Sequence, residues 1–262
     1  MNLFAIYLAN EFKRGWQYRM EIPMMWFAYG LTLAVQIFLW KALYNGHNSV
    51  SGVEIHSILQ YFILSSIITV LLPRRLSAML GTRINTGMIS GDLLKPIAIK
   101  WHLALQVLSS NFFNVIFVML PITSIFSAFL KISFNIPLFS FLFIIPSIML
   151  AIFIVIEIGY IMGLWCFWTG SNIFTGFIES ALYVLFSGMV LPIYFMPQWL
   201  MTLTKFLPFR YAIFEPLNMI TQFNVHDAAM SLVIQGLWFL VLLILDQMIW
   251  SRAQKRIFVV GG

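Results

Sequence analysis

Between Pro137 and Trp168 the chain carries a single charged residue, Glu157. A soluble fold has nowhere to hide a run so long and so apolar, whereas a helix crossing the ~30 Å hydrocarbon layer of a bilayer needs about 20 such residues. Similar runs occupy Ile22–Tyr44, Ile58–Leu72, Leu103–Leu130, Phe177–Leu191 and Ala228–Trp250. Of the 262 residues, 61% are hydrophobic and 9% charged, where a soluble domain carries about 25% charged residues. The runs exceed the ~10-residue strands of a membrane barrel and lack their alternation. The sequence therefore predicts an all-α integral membrane protein, with six transmembrane helices in one transmembrane domain over residues 1–262. The first run follows the charged stretch Glu11–Glu21 without a small-residue cleavage site, so no signal peptide is expected. Cys166 is the lone cysteine, lies inside a run, and reads as a packed or lipid-facing hydrophobe rather than part of a disulfide framework.

One apolar stretch does not behave like the others. Gly188–Pro216, GMVLPIYFMPQWLMTLTKFLPFRYAIFEP, holds Pro192, Pro197, Pro208 and Pro216. Each proline removes a backbone donor and kinks or ends a helix. In hydrocarbon an unpaired backbone group costs several kcal/mol, roughly the penalty for any buried unsatisfied amide. The segment is therefore expected to enter the membrane and return against protein, or to lie along its surface.

The remaining connections are polar. Residues 2–19 place Phe4, Leu8, Phe12 and Trp16 on one side and Asn10, Lys13, Arg14 and Gln17 largely on the other, the pattern of an interfacial helix. Pro23 suits the first turn of the first span, and Trp26 and Trp40 suit its ends. Residues 74–101 form the longest polar loop, with a short amphipathic helix over Leu76–Ile84, breaks at Gly87 and Gly91, and GDLLKP closing at Pro96. Pro121 is expected to kink the third span and Pro146 to break the over-long fourth. GSNIFTG, 170–176, reads as a turn. With the N-terminus inside and six spans, eleven of the fifteen Lys and Arg residues fall inside. Lys41, Lys131, Lys205 and Arg210 fall outside. That bias predicts cytoplasmic termini and an outer location for 188–216. It also accounts for the net charge of +6 without nucleic acid.

No phosphate-binding loop, metal-ligand cluster, H-E-x-x-H motif or nucleophile elbow occurs in the sequence. Gly159 and Gly163 are spaced for close helix packing, within the chain or at a subunit seam. Three carboxylates lie in or near apolar runs, where an ionisable group is costly. Glu157, deepest in its run, reads either as a pathway or proton-handling residue or as a hydrogen-bonded structural acid. Glu179 opens a span where a helix dipole favours it, and Asp246 lies within two turns of Arg252. The chain shows no energy source of its own.

Two motifs then resemble the ABC-2 type permease family, the membrane subunits of ABC exporters. One is INTGMISGDLLKP, 84–96, similar to the family's small residue, Gly, acid, two aliphatics, basic residue and Pro. The other is 188–216, similar to its Gly, Leu-Pro, aromatic-Pro-x-Trp and Leu-Pro-Phe-x-Tyr pattern. The terminal RIFVVGG resembles a branch that exports drugs, peptides or lipids with two related permeases and one ATPase. The resemblance implies a bacterial cytoplasmic-membrane permease that catalyses no reaction and binds no cofactor, ATP and Mg being held by two partner ATPase subunits. It implies a second permease, identical or paralogous, and contact with membrane lipids but not nucleic acid. Arg83, Gly87, Gly91, Asp92, Leu93, Lys95 and Pro96 would form a coupling helix seated in the ATPase. Gly188, Pro192, Pro197, Trp199, Pro208, Phe209 and Tyr211 would form an outer gate of short helices around Pro197 and Pro208, hinged at Gly188, with Tyr194, Phe195, Trp199 and Phe209 sealing against a partner or touching cargo. Glu157 and Glu179 would be pathway candidates. The cargo expected from the apolar walls is amphipathic or lipid-like. Two other readings stand beside it: an immunity or sensing ABC membrane subunit, which uses the same fold, and a lipid-modifying membrane enzyme using Glu157 or Glu179, for which the sequence offers no acid pair or nucleophile–base set.

Overall fold

A computed structural model describes residues 3–50, 52–134 and 136–257. The RIFVVGG end therefore falls almost wholly outside the described residues. Helix α1 (Leu3–Gln17) leads into α2 (Glu21–Tyr44), which Asn45 ends in the left-handed conformation at φ 45°. Two short antiparallel strands, β1 (Ser49–Val50) and β2 (Val53–Glu54), pair Ser49 with Glu54 and Val50 with Val53. α3 (Ile55–Leu71) stops before Pro73, and the polar loop folds into α4 (Leu76–Asn85) and α5 (Ile89–Leu93). Gly87 separates them at φ +74°. Gly91, expected as a second break, instead lies inside α5.

The third run begins earlier than its hydropathy suggests, as α6 (Ile99–Asn114), passes through a π-turn at Val115–Met119, and ends as α7 (Leu120–Leu130). The expected kink at Pro121 takes this form. Pro121 has no N–H for the Phe117 carbonyl, so the ladder widens just before it. The expected break at Pro146 does not occur. α8 (Phe141–Leu164) runs through it, and the interruption falls at Trp165, before α9 (Cys166–Thr169). Gly170 at φ +64° then turns the chain, and Ser171 caps α10 (Asn172–Phe186), its Oγ accepting from the Phe174 N–H. That cap starts the fifth run inside the expected turn, and Gly188 ends it. After a 3₁₀ turn at Ile193–Phe195 come α11 (Gln198–Thr204), α12 (Pro208–Thr221) and α13 (Val225–Ile257).

Among the described residues, five helical stretches are long and apolar enough to cross a membrane: Glu21–Tyr44, Ile55–Asn85, Ile99–Leu130, Leu138–Thr169 and Val225–Arg256. α10 is apolar but has 15 residues. Large apolar side chains cover the outside, Phe27 and Phe129 being 73% and 79% exposed. A surface of that kind meets lipid or a protein partner rather than water. The main core joins α2, α3, α8 and α12, and a second one seats α4 against α6, α8 and α13. Gln60 donates to the Ser133 carbonyl at 2.8 Å and Phe139 meets Phe223, which gathers the α2–α3, α7–α8 and α12–α13 turns at one end. Asn172 donates to Thr82, placing α4 and the start of α10 at the other, basic end.

Candidate functional site

α4 is docked by the glycine pair of α8. A Cβ on Gly163 would stand 2.9 Å from Leu80 Cβ, and one on Gly159 3.3 Å from Leu76 Cβ. Both leucines are fully buried. The spacing read as helix packing thus receives α4 of the same chain. Beyond Gly87, α5 turns Ile89 and Asp92 inward and leaves Met88, Leu93 and Leu94 exposed, Leu94 by 88%. Asp92 is ion-paired to Arg83, and to Lys95 at 2.7 Å. Burial pushes its carboxyl up, but hydrogen bonds and charge from Lys95 and Arg83 outweigh that and hold it below the usual aspartate value. So Arg83, Asp92 and Lys95 are brought together in an internal lock, and the exposed tip between Gly87 and Pro96 is chiefly apolar.

α4 also grips α10. Ser77 hydroxyl donates to Glu179, which is 3% exposed. One turn on, the Arg74 guanidinium lies 4.8 Å over the Tyr183 ring and donates to Met189 Sδ at 3.4 Å. Tyr183 in turn packs edge-on against Phe209 with centroids 5.1 Å apart. A continuous series of contacts thus runs from the basic-end loop through α10 to the start of α12.

Glu157 is fully buried and does not stand alone. Lys100 Nζ donates to its Oε1 at 2.8 Å and Oε2 at 3.1 Å, and to Asp246 Oδ2 at 2.6 Å. This triad ties α6, α8 and α13 together near the basic end. It carries two carboxylates against one ammonium.

In the proline-broken segment, Gly188 adopts φ +80° and its carbonyl accepts from Tyr61 hydroxyl at 2.7 Å. A Cβ there would lie 2.9 Å from that hydroxyl, so both backbone angle and space favour glycine. Pro192 precedes the 3₁₀ turn, Pro197 precedes α11, and Pro208 is the first residue of α12, where its missing N–H costs nothing. Arg210 Nε donates to Glu215 Oε1 at 2.6 Å, and Ser231 hydroxyl donates to Glu215 Oε2 at 2.7 Å. Gln235 of α13 donates to the Tyr211 carbonyl at 2.8 Å. Phe209 packs on Tyr183, Phe195 on Trp40 and Tyr194 on Phe214, whereas Trp199 is 69% exposed.

A family model described as ABC-2 family transporter protein matches residues 31–259. The chain belongs to the ABC-2 transporter family. Neither the curated proteins nor the solved structures yield a match. This ABC-2 permease is accordingly a multi-pass membrane transport component, of a family that is not itself catalytic and generally works with an ABC ATPase partner.

Several site residues of the permease escaped the sequence reading. Lys100 counted only as a basic loop residue, although α6 starts at Ile99 and carries it inward to Glu157. Arg210 and Glu215 were absorbed into the apolar outer segment, although an acid and a base five apart in a proline-rich helix are a signal for a buried pair. Ser77, Tyr61 and Tyr183 carry no local signal, because their partners lie far away in sequence. Glu179 and Glu157 belong to separate clusters, one on α4 and one on α6 and α13.

Proposed function

We propose that the chain is the membrane subunit of an ATP-driven exporter of amphipathic molecules, with six crossings, α10 being a short fifth span, and both termini in the cytoplasm. The fifteen basic residues support that orientation, since eleven fall at the end carrying α4 and α5. Gln235 stands ten residues into α13, about 15 Å along its axis from the end at Val225. Its bond to Tyr211 therefore supports a segment that dips to roughly half the bilayer depth and climbs back along α12.

The observation that carries the reading is the unbroken packing from loop to gate. α4 is wedged into α8 at Gly159 and Gly163, bound to α10 through Ser77 and Glu179, and α10 ends at the Gly188 turn. A push on the loop by an ATPase cannot be absorbed locally and is passed to α10 and the outer segment. The apolar tip, Met88, Leu93 and Leu94, is the surface offered to a separate ATPase dimer, and Asp92 shapes the tip from within. A second permease, identical or paralogous, completes the pathway, and substrate leaves between the two. Trp199 is the gate aromatic left to meet that partner or the cargo.

The reading is tested by co-purification. Leu94→Glu and Met88→Glu are expected to lose the ATPase while the membrane protein still elutes as a folded species. Retention of a fully coupled ATPase by the double variant would contradict the docking assignment.

A further inference from the structure

We infer that the groove between α1, α4 and α6 is a binding site for the phosphate of an anionic lipid headgroup. The cavity measures about 520 Å³, within the range of small-ligand sites of ~300–1,000 Å³. Arg14 enters it from α1, Arg75 and Arg83 from the α4 region, and Gln106 and Ser110 from α6. Glu11 is the one carboxylate in its lining. Glu11 is engaged with Arg14 at 3.1 Å, and Asp92 engages Arg83 from outside the cavity. Glu21 lines only an adjoining hollow of about 240 Å³, together with Arg14 and Arg75. Arg75 makes no ion pair and no side-chain hydrogen bond among the described residues, although it faces both spaces.

The groove exists because its walls are held by different neighbours. Phe4 and Phe12 of α1 pack edge-on against Phe112 and Phe113 of α6, with centroids 5.7 and 5.5 Å apart. α4 leans the other way, into α8. What remains between them is a cleft lined by polar α6 residues and by guanidinium groups from α1 and the α4 region. Guanidinium groups pair with phosphate oxygens in two-point fashion, which lysine does not reproduce. The cleft lies at headgroup level. α1 has no buried residue, and its C-terminal region exposes Trp16 by 73% and Tyr18 by 52%, side chains that settle at a membrane interface. An anionic lipid there would join α1 to α4 and Arg83, so the leaflet's composition would bear on the loop that α4 belongs to. This rests on the multi-pass membrane reading and not on the identity of cargo or ATPase.

Native mass spectrometry of the full chain in neutral detergent tests the site, with phosphatidylglycerol, phosphatidylcholine or inorganic phosphate added. One phosphatidylglycerol is expected to stay bound where phosphatidylcholine does not. Arg75→Gln should weaken retention about tenfold or more, the scale of one lost charge-assisted contact, and Arg75→Lys should recover it only in part. Arg252→Gln with Lys255→Gln, equally basic but on α13, should leave it unchanged. Failure of excess inorganic phosphate to displace the lipid identifies the headgroup as the source. Ready displacement identifies a free-phosphate site on the same arginines and overturns the lipid assignment. Equal retention of phosphatidylcholine, or retention by a monodisperse Arg75→Gln protein equal to that of the parent, also overturns it.

Discussion

The Trp26 indole N–H donates to the Phe117 carbonyl at 2.8 Å, and Pro121, four residues on, has no N–H to offer that carbonyl. Four residues after Phe117 a helix would normally supply an N–H, and proline has none. The π-turn at Val115–Met119 displaces the ladder, and α2 supplies the donor from outside. In lipid no water can do so.

This pairing predicts a thermodynamic coupling. Trp26→Phe keeps the apolar ring but strands the carbonyl, and should cost about 1–3 kcal/mol. In a Pro121→Ala background, where residue 121 can donate to Phe117 itself, the same change should cost markedly less. Reversible unfolding in mixed micelles of the four proteins measures the difference. Equal costs in both backgrounds would show that the indole is not there to satisfy Phe117.

Lys100 is the only cation of a buried triad, so its loss should be felt more than the loss of either acid. Lys100→Met leaves Glu157 and Asp246 facing each other without a counter-charge, and should destabilise the fold by about 3–5 kcal/mol. Adding Glu157→Gln and Asp246→Asn should recover most of that, because the stranded charge is the cost. Thermal aggregation of detergent-solubilised protein reads both outcomes.

Asp92 carries a pH signature. Its folded carboxyl lies below the ordinary value, so the stability it contributes is complete above the unfolded aspartate pKa of about 4. It is lost as pH falls through the lower folded value. The parent protein should exceed Asp92→Asn in stability by about 1–3 kcal/mol near neutrality, and the two should converge as pH falls through the lowered folded value of Asp92. A gap unchanged across that window would mean that Asp92 is not held ionised by Arg83 and Lys95.

The membrane class and the place of the five long apolar helices were legible because apolar run length reports directly on the solvent a segment meets. The breaks at Gly87, Pro197 and Pro208 were legible because glycine and proline act through local backbone geometry. What stayed hidden depends on distant partners. Pro146 looks like a break from sequence, yet α8 persists because α12, α13 and α4 pack along it. Asp92 is expected from sequence among the residues seated in the ATPase, yet it is buried behind the tip. Its i,i+3 spacing to Lys95 was visible, but the approach of Arg83 needed the Gly87 turn. Ser77 and Glu179 are 102 residues apart, and nothing local to either indicates the other.

The Ser77–Glu179 contact is the joint between α4 and α10. The measurement is the rate at which an impermeant thiol reagent modifies Trp199→Cys from outside, in a Cys166→Ala background, with permease and ATPase reconstituted together. Adding a non-hydrolysable ATP analogue should change that rate several-fold. Ser77→Ala with Glu179→Ala should abolish the change while the ATPase stays bound. An ATP-dependent change that survives the double substitution at full size would contradict transmission from α4 through α10 to the outer segment.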